Sequence, residues 1–348
     1  MSGRVALRVG PQHVGQRVVL RRAVAGGRYV DVLGDLLSWA DGVARVRTRA
    51  GESAVPIEQV IAGKPVPPPP ARRGAPHLSL GVEALEDVAA DGWRPLELAW
   101  IGVRGRGWRL RAAAGFTGRA NSVLTVGDPG MPVPQAISVA QAWYAQRGLA
   151  PRFALAWALD APVRSDGDDA GARQSALDDE LRRRGYALDT PTLVLTAATR
   201  QVAAAAVRPG VVPLAGGLQL DLADVPDESW LGVYRYRGGP LPPVARSLLL
   251  SAPAQVFVSV REGERTVAVG RGASSRGWTG VSAMQVEQSH QRRGLGRELL
   301  GAIAGWGLLR GDRSMYLQVA EANESARNLY GAVGFAAHHG YHYRLAHL

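Results

Sequence analysis

A pair of glycines at the junction of two different hydrophobic periods constrains this chain more than any other feature. Residues 280–287 alternate apolar and polar side chains with the period of a half-buried strand. From Leu295 the apolar residues Leu295, Leu299, Ile303 and Trp306, flanked by Leu300 and Ala304, share one side of a helix. Between the two stands Gln291-Arg292-Arg293-Gly294-Leu295-Gly296-Arg297, so a strand hands over to a helix within about one turn of chain. The first four amides of a helix lack intrahelical acceptors, and the aligned peptide dipoles add about half a positive charge there, which favours a bound anion. The glycines leave room for phosphate oxygens, and Arg292, Arg293 and Arg297 add fork-shaped donors. Such a junction is a phosphate cradle, and it points to a coenzyme that carries a pyrophosphate.

A second pattern follows. Met315-Tyr316-Leu317-Gln318-Val319 reads as the next strand, and then comes Asn323-Glu324-Ser325-Ala326-Arg327-Asn328-Leu329-Tyr330 with Gly334-Phe335. Together these segments resemble the GNAT superfamily of N-acetyltransferases, whose loop reads Gln/Arg-x-x-Gly-x-Gly/Ala and whose next motif is N-x-x-A-x-x-L-Y followed by G-F. The resemblance covers roughly 280–345, with a strand pair at 255–261 and 266–273 upstream. A dinucleotide-binding fold fits less well, because the third glycine and the acidic ribose ligand are missing.

In that superfamily the strand before the loop splays from its neighbour, its backbone pairs with the pantetheine arm of acetyl-CoA, and the loop amides hold the pyrophosphate. The resemblance implies that Met284, Gln285 and Val286 flank the arm. It assigns Gln291, Arg292, Arg293, Gly294, Leu295, Gly296 and Arg297 to the diphosphate, and Asn323 and Ala326 to the opposite wall. It places Tyr330 near the thioester sulfur, where a phenol with an ordinary pKa near ~10 stays protonated at neutral pH and can give a proton to the leaving thiolate. Glu287 is the nearest carboxylate in sequence and the candidate general base, with deprotonation through water as the alternative.

The histidines His290, His338, His339 and His342 lack carboxylate or cysteine companions at ligand spacing, so they read as surface or substrate-pocket side chains and no metal is expected. The chain has no cysteine, which excludes an acyl-cysteine intermediate and a disulfide framework. No run approaches the ~18–20 apolar residues of a membrane helix, and the start lacks an apolar signal core, so a cytoplasmic protein without a membrane partner is expected. The formal charge is +11, yet Lys64 is the only lysine. An almost pure arginine content with abundant Ala, Gly and Val matches a GC-rich genome, and the arginines are dispersed, Arg45, Arg47 and Arg49 coming nearest to a basic strand face. A nucleic-acid partner is therefore not expected. A monomer or homodimer is.

Along the 348 residues, Pro65-Val66-Pro67-Pro68-Pro69-Pro70 begins a semi-rigid spacer over 65–75. Before it, residues 1–64 carry short strand signals at 17–22, 29–39, 43–48 and 53–56 separated by glycine turns, the pattern of an SH3-like β-barrel that offers a surface for a protein partner. After it, Gly185-Tyr186-Ala187 and Thr192-Leu193-Val194-Leu195-Thr196-Ala197 parallel Gly334-Phe335-Ala336 and Tyr341-His342-Tyr343-Arg344-Leu345-Ala346. Ala142-Trp143 and Phe153-Ala154-Leu155 likewise parallel Gly305-Trp306 and Tyr316-Leu317-Gln318, the first copy being longer at the polar segment 163–171. The expected fold is mixed α/β: a degenerate GNAT-like domain over 76–200 and a catalytic GNAT domain over 201–348, a tandem found in some actinobacterial acetyltransferases. Degeneracy shows at Leu181, which stands where Tyr330 does, and at Gly127-Asp128-Pro129-Gly130-Met131-Pro132, where proline removes a donor and aspartate repels phosphate. Arg119, Asn121 and Ser122 are candidates to hydrogen-bond a polar substrate. The expected activity is transfer of an acetyl group from acetyl-CoA to a primary amine of a small polar metabolite or a protein, by direct attack in a ternary complex. The alternative is a protein- or nucleic-acid-binding chain with a coenzyme-sensing GNAT domain.

Overall fold

The computed structural model describes residues 9–24, 28–48, 51–66, 76–159, 169–206, 217–236 and 238–346. Most of the spacer, most of the polar segment 163–171 and Arg49 lie outside these residues. Two compact units divide between Arg73 and Gly74.

The first unit is a small all-β domain. Its strands are β1 (Arg17–Val24), β2 (Arg28–Ala40), β3 (Val43–Thr48), β4 (Gly51–Pro56) and β5 (Val60–Pro65), all antiparallel in the order β4-β3-β2-β1-β5. Alternate residues Val18, Leu20, Leu36, Ala44, Val46 and Val55 are wholly buried on one face. β5 carries no alternation strong enough to announce it in the sequence. It is held by its ladder to β1.

The second unit contains helices α1 (Pro76–Ser79) and α2 (Val82–Asp91), then β6 (Glu97–Ile101), β7 (Trp108–Ala112), β8 (Val123–Leu124), α3 (Val133–Ala145), β9 (Arg152–Ala158), α4 (Asp169–Arg183) and β10 (Ala187–Ala198). It continues with α5 (Thr199–Ala206), β11 (Leu218–Ala223), α6 (Glu228–Val233), α7 (Ala245–Leu249), β12 (Ala254–Glu262), β13 (Arg265–Ser275), β14 (Trp278–Val286), α8 (Leu295–Leu309), β15 (Ser314–Ala320), α9 (Glu324–Ala332) and β16 (Ala336–Leu345). The element order of the first half, β-β-β-α-β-α-β, recurs in the second from β12 to β16, as the paired sequence segments indicate.

The two halves share one sheet of 11 strands in the order β11-β12-β13-β14-β15-β10-β16-β9-β8-β7-β6. Each half closes with the other's last strand. β10 lies against β15, and β16 lies against β9. The two exchanged strands pair with each other at the centre. The expected boundary at 200/201 falls inside α5, which packs on α8, where a side chain at Gly301 would strike Ala206 at 2.5 Å. α2 covers the seam, burying Leu85, Val88 and Ala89 against Leu124, Val194, Trp278, Tyr316, Tyr341 and Tyr343. Nine of the 11 strands have a strand on each side, β11 and β6 being the edges.

Candidate active site

Trp278 to Val281 of β14 are buried, and Ser282 to Val286 are half-buried. The half-burial sets in where pairing stops. The parallel ladder between β14 and β15 runs from Trp278 opposite Ser314 to Val281 opposite Leu317 and then ends, although both strands continue. A bulge drives the two apart: Ala283 adopts φ +53°, and Ala283 with Met284 stands opposite the single Gly270 of β13. Beyond Val281, β14 keeps its ladder to β13 and presents its other backbone edge to an opening.

β14 leads through a 3-10 turn (Gln288–His290) into α8. Gly294 caps that helix at φ +90°, in the left-handed region where a side chain is strained. Arg297 and Glu298 amides bond the Gly294 carbonyl, while the amides of Arg292, Gly294, Leu295 and Gly296 have no acceptor among the described residues. The second glycine has another reason for its identity. A Cβ at Gly296 would lie 2.9 Å from Leu329, so its absence lets α8 meet α9. Arg292 and Arg293 are exposed, whereas Nη1 of the Arg297 guanidinium bonds the Ala205 carbonyl of α5 at 2.7 Å. Gln291 donates from Nε2 to the Val286 carbonyl at 3.3 Å and ties the loop back to β14. On the far side, Asn323 caps α9 by accepting the Ala326 amide at 3.1 Å.

Tyr330 is 8% exposed, stacks edge-on against Phe335 and joins the core beneath α8. Burial pushes its phenol up to about 12, with Arg119 pulling in the opposite direction, so it is protonated at neutral pH. Glu287 forms an ion pair with Arg265 at 2.6 Å, and His290 lies 4.0 Å away. Its carboxylate is therefore ion-paired. Met284 and Val286 pack on the α8 side of β14. Gln285 and Glu287 line a groove of about 610 Å³ with Gly232, Val233, Arg235 and Arg265.

Of the three residues expected to touch substrate, two are structural. Asn121 accepts the Ala113 and Gly115 amides at 2.7 and 2.9 Å and donates to the carbonyls of Phe116 and Thr117, so its amide is spent on holding the loop. Ser122 is wholly buried, donates to the Gly118 carbonyl at 2.7 Å and accepts from Arg111 at 2.7 Å. Arg119 is different: the loop so stapled carries its guanidinium across to Gln318 of β15, the first residue past the end of the ladder. The sequence also hid Arg271, which is fully buried and bonds the carbonyls of Leu249 and Gly92 at 2.8 and 3.0 Å and Ser282 at 3.4 Å. Only its apolar strand neighbours mark it as unusual.

The histidines are partnered from a distance. His339, wholly buried, lies 2.9 Å from Glu86, His338 lies 2.8 Å from His339, and His342 lies 2.8 Å from Asp178. The carboxylate companions of His339 and His342 come from the other half, where sequence spacing cannot reveal them, and those of His290 come from its own, Glu262 at 3.3 Å and Glu287 at 4.0 Å. This corrects their placement as surface or pocket residues.

In the first half the matching region is closed. Thr125 bonds the Ala154 carbonyl at 2.8 Å and receives Gln174 on its own carbonyl at 2.7 Å, bridging the position of the opening. Asp128 accepts the Gly130 amide at 2.8 Å, and Pro132 precedes α3, which has Pro134 in its first turn.

The sequence profile of the family described as "Probable histone acetyltransferase Rv0428c C-terminal" matches residues 81–344. The chain belongs to this family, one of GNAT-type acetyltransferases. The probable histone acetyltransferase Rv0428c of Mycobacterium tuberculosis is 28% identical, covering 94% of this chain and 93% of the relative. YobR of Bacillus subtilis, an uncharacterized N-acetyltransferase, is 25% identical over 76% of this chain and 98% of its own. A solved tandem GNAT protein from the clavulanic acid biosynthesis pathway shares the fold of this GNAT chain with a TM-score of 0.52 at 14% identity, covering 80% of this chain and 90% of that one. A GCN5-related N-acetyltransferase from Kribbella flavida superposes with a TM-score of 0.51 at 15% identity, covering 77% and 96%.

Proposed function

We propose that this GNAT chain transfers the acetyl group of acetyl-CoA to a primary amine, the amine attacking the thioester carbonyl while both substrates are bound. The observation that carries this reading is the early end of the β14–β15 ladder beside a helix whose first amides are open. The unpaired edge of β14 around Met284 to Val286 suits the amide groups of a pantetheine arm, and the amides from Arg292 to Gly296 suit a diphosphate, with Arg292 and Arg293 adding charge. Tyr330 supplies the proton that the departing thiolate takes up, and the amine nitrogen gains the acyl carbon as the carbon–sulfur bond breaks. The backbone near Val286 orients the thioester, and the groove bearing Gln285 and Glu287 receives the acceptor. The plugged first half is read as a wall of the acceptor site and not as a second coenzyme site.

The acceptor is a small polar amine or a protein amine, the second class being the one named for the mycobacterial relative. The first unit is read as an SH3-like module that binds a protein partner. Calorimetric titration of acetyl-CoA is expected to show about one site per chain, lost in Gly294→Asp through strain and repulsion. Thiol release is then expected with an amine from a panel of metabolites and peptides. Absence of acetyl-CoA binding to the wild-type chain would overturn the reading.

A further inference from the structure

The opening narrows to an apex, and a guanidinium stands on each lip of it. Ser282, the first β14 residue past the ladder, receives Arg271 at 3.4 Å, and Gln318, the first on β15, receives Arg119. Between them lies a cavity of about 10 Å³, room for one water, bounded by Arg119, Arg271, Val281, Ser282, Tyr316 and Gln318. Arg119 comes from the half that has lost its own site.

The charges around the apex do not cancel. Glu86 on α2 shares a neighbouring cavity with Arg119 and Arg111 and bonds His339 at 2.9 Å, one carboxylate against the guanidiniums of Arg111, Arg119 and Arg271. Asp91, at the end of α2, is paired with Arg276 at 2.9 Å and bonded to Ser275 at 2.8 Å. Tyr234, Tyr316, Tyr330 and Tyr343 lie around the guanidiniums, and burial raises each of these phenols above its ordinary value, so they add no negative charge at neutral pH. Arg111 adds a third cation, bonded to Ser122. Net positive charge therefore faces the place where, on the function proposed above, an amine meets the thioester.

A cation nearby disfavours the ammonium form of an amine, and a partly closed site strengthens the effect. We infer that Arg119, supplied by the degenerate half, acts with Arg271 to deliver the acceptor amine as the neutral nucleophile, so that no protein carboxylate is needed as general base. The same charges favour the oxyanion that forms as the nitrogen lone pair enters the carbonyl and the C=O electrons move to oxygen. The excess proton leaves with solvent, and the thiolate takes its proton from Tyr330. The paired state of Glu287 is then no handicap.

The pH dependence of kcat tests this on the intact chain. Turnover of the wild type at neutral pH bears on the function itself; the acid limb of the profile bears on the arginines. With acceptors of graded basicity, the limb is expected to track each amine, roughly one to two pH units below its pKa in water. In Arg119→Gln the limb is expected to move up by about one unit, a tenfold loss of kcat on its slope, with acetyl-CoA affinity unchanged. Arg119→Lys should restore the wild-type limb. A limb that stays at one pH whatever the acceptor would indicate a titrating protein base and overturn the inference without any variant. So would a limb unmoved in an Arg119→Gln chain that still binds acetyl-CoA.

Discussion

Tyr330 and Gly294 show how a residue's identity and its role can be read at different depths. The tyrosine's phenol has no hydrogen-bond partner among the described residues, holds its proton to about 12, and sits against Phe335. Tyr330→Phe removes only that oxygen, so kcat is expected to fall by about a hundredfold while calorimetric acetyl-CoA affinity stays within about twofold of wild type. Motif spacing was enough to single out Gly294, Gly296 and Tyr330. It could not show that Gly296 answers to Leu329, that Arg297 serves α5, or that Asn121 and Ser122 are internal staples, because each depends on a neighbour brought in by folding. Arg271 was beyond reach for the same reason: its partners are 22, 11 and 179 positions away.

At the scale of elements, the exchanged strands decide how the halves are bonded. Asp178 on α4 receives Arg344 at 2.7 Å and His342 at 2.8 Å, both from β16, and so clips the second half's strand to the first half's helix. Burial alone would raise the Asp178 carboxyl; Arg344 and His342 outweigh it and hold the pKa below 3.8. A depressed carboxylate stabilises the fold above its unfolded pKa and stops doing so as pH falls through the folded value. Asp178→Asn is therefore expected to cost about 2 kcal/mol at pH 7, read as a fall of several degrees in melting temperature, with the gap to wild type closing below about pH 4. Strand periodicity revealed that β10 and β16 exist and correspond to each other. Their exchange was hidden, since two strands of like pattern fit either sheet position equally well.

For the whole molecule, two half-buried histidines set an acid limit. Burial is the main cause that lowers His338 below 6.5, and it alone lowers His77. The unfolded chain then binds protons that the folded chain refuses, so this contribution is present above about pH 6.5 and is lost as pH falls below it. Melting temperature is expected to be level from pH 7 to 8 and to decline from about 6.5 downward, with His338→Gln reducing the decline. A fragment covering 201–348 is expected to be insoluble, because β15 would lose β10 and expose an unpaired edge, whereas 74–348 keeps every ladder of the second unit.

The exchange of strands also sets a timetable for synthesis. β9 emerges from the ribosome with one edge bare, and the strand that covers it, β16, ends at Leu345. At about 5–20 residues per second, that edge waits on the order of ten to forty seconds for its partner. The strand that seals the first half is thus the last strand of the second, and a nascent chain cut short just before it would leave both halves unfinished at once.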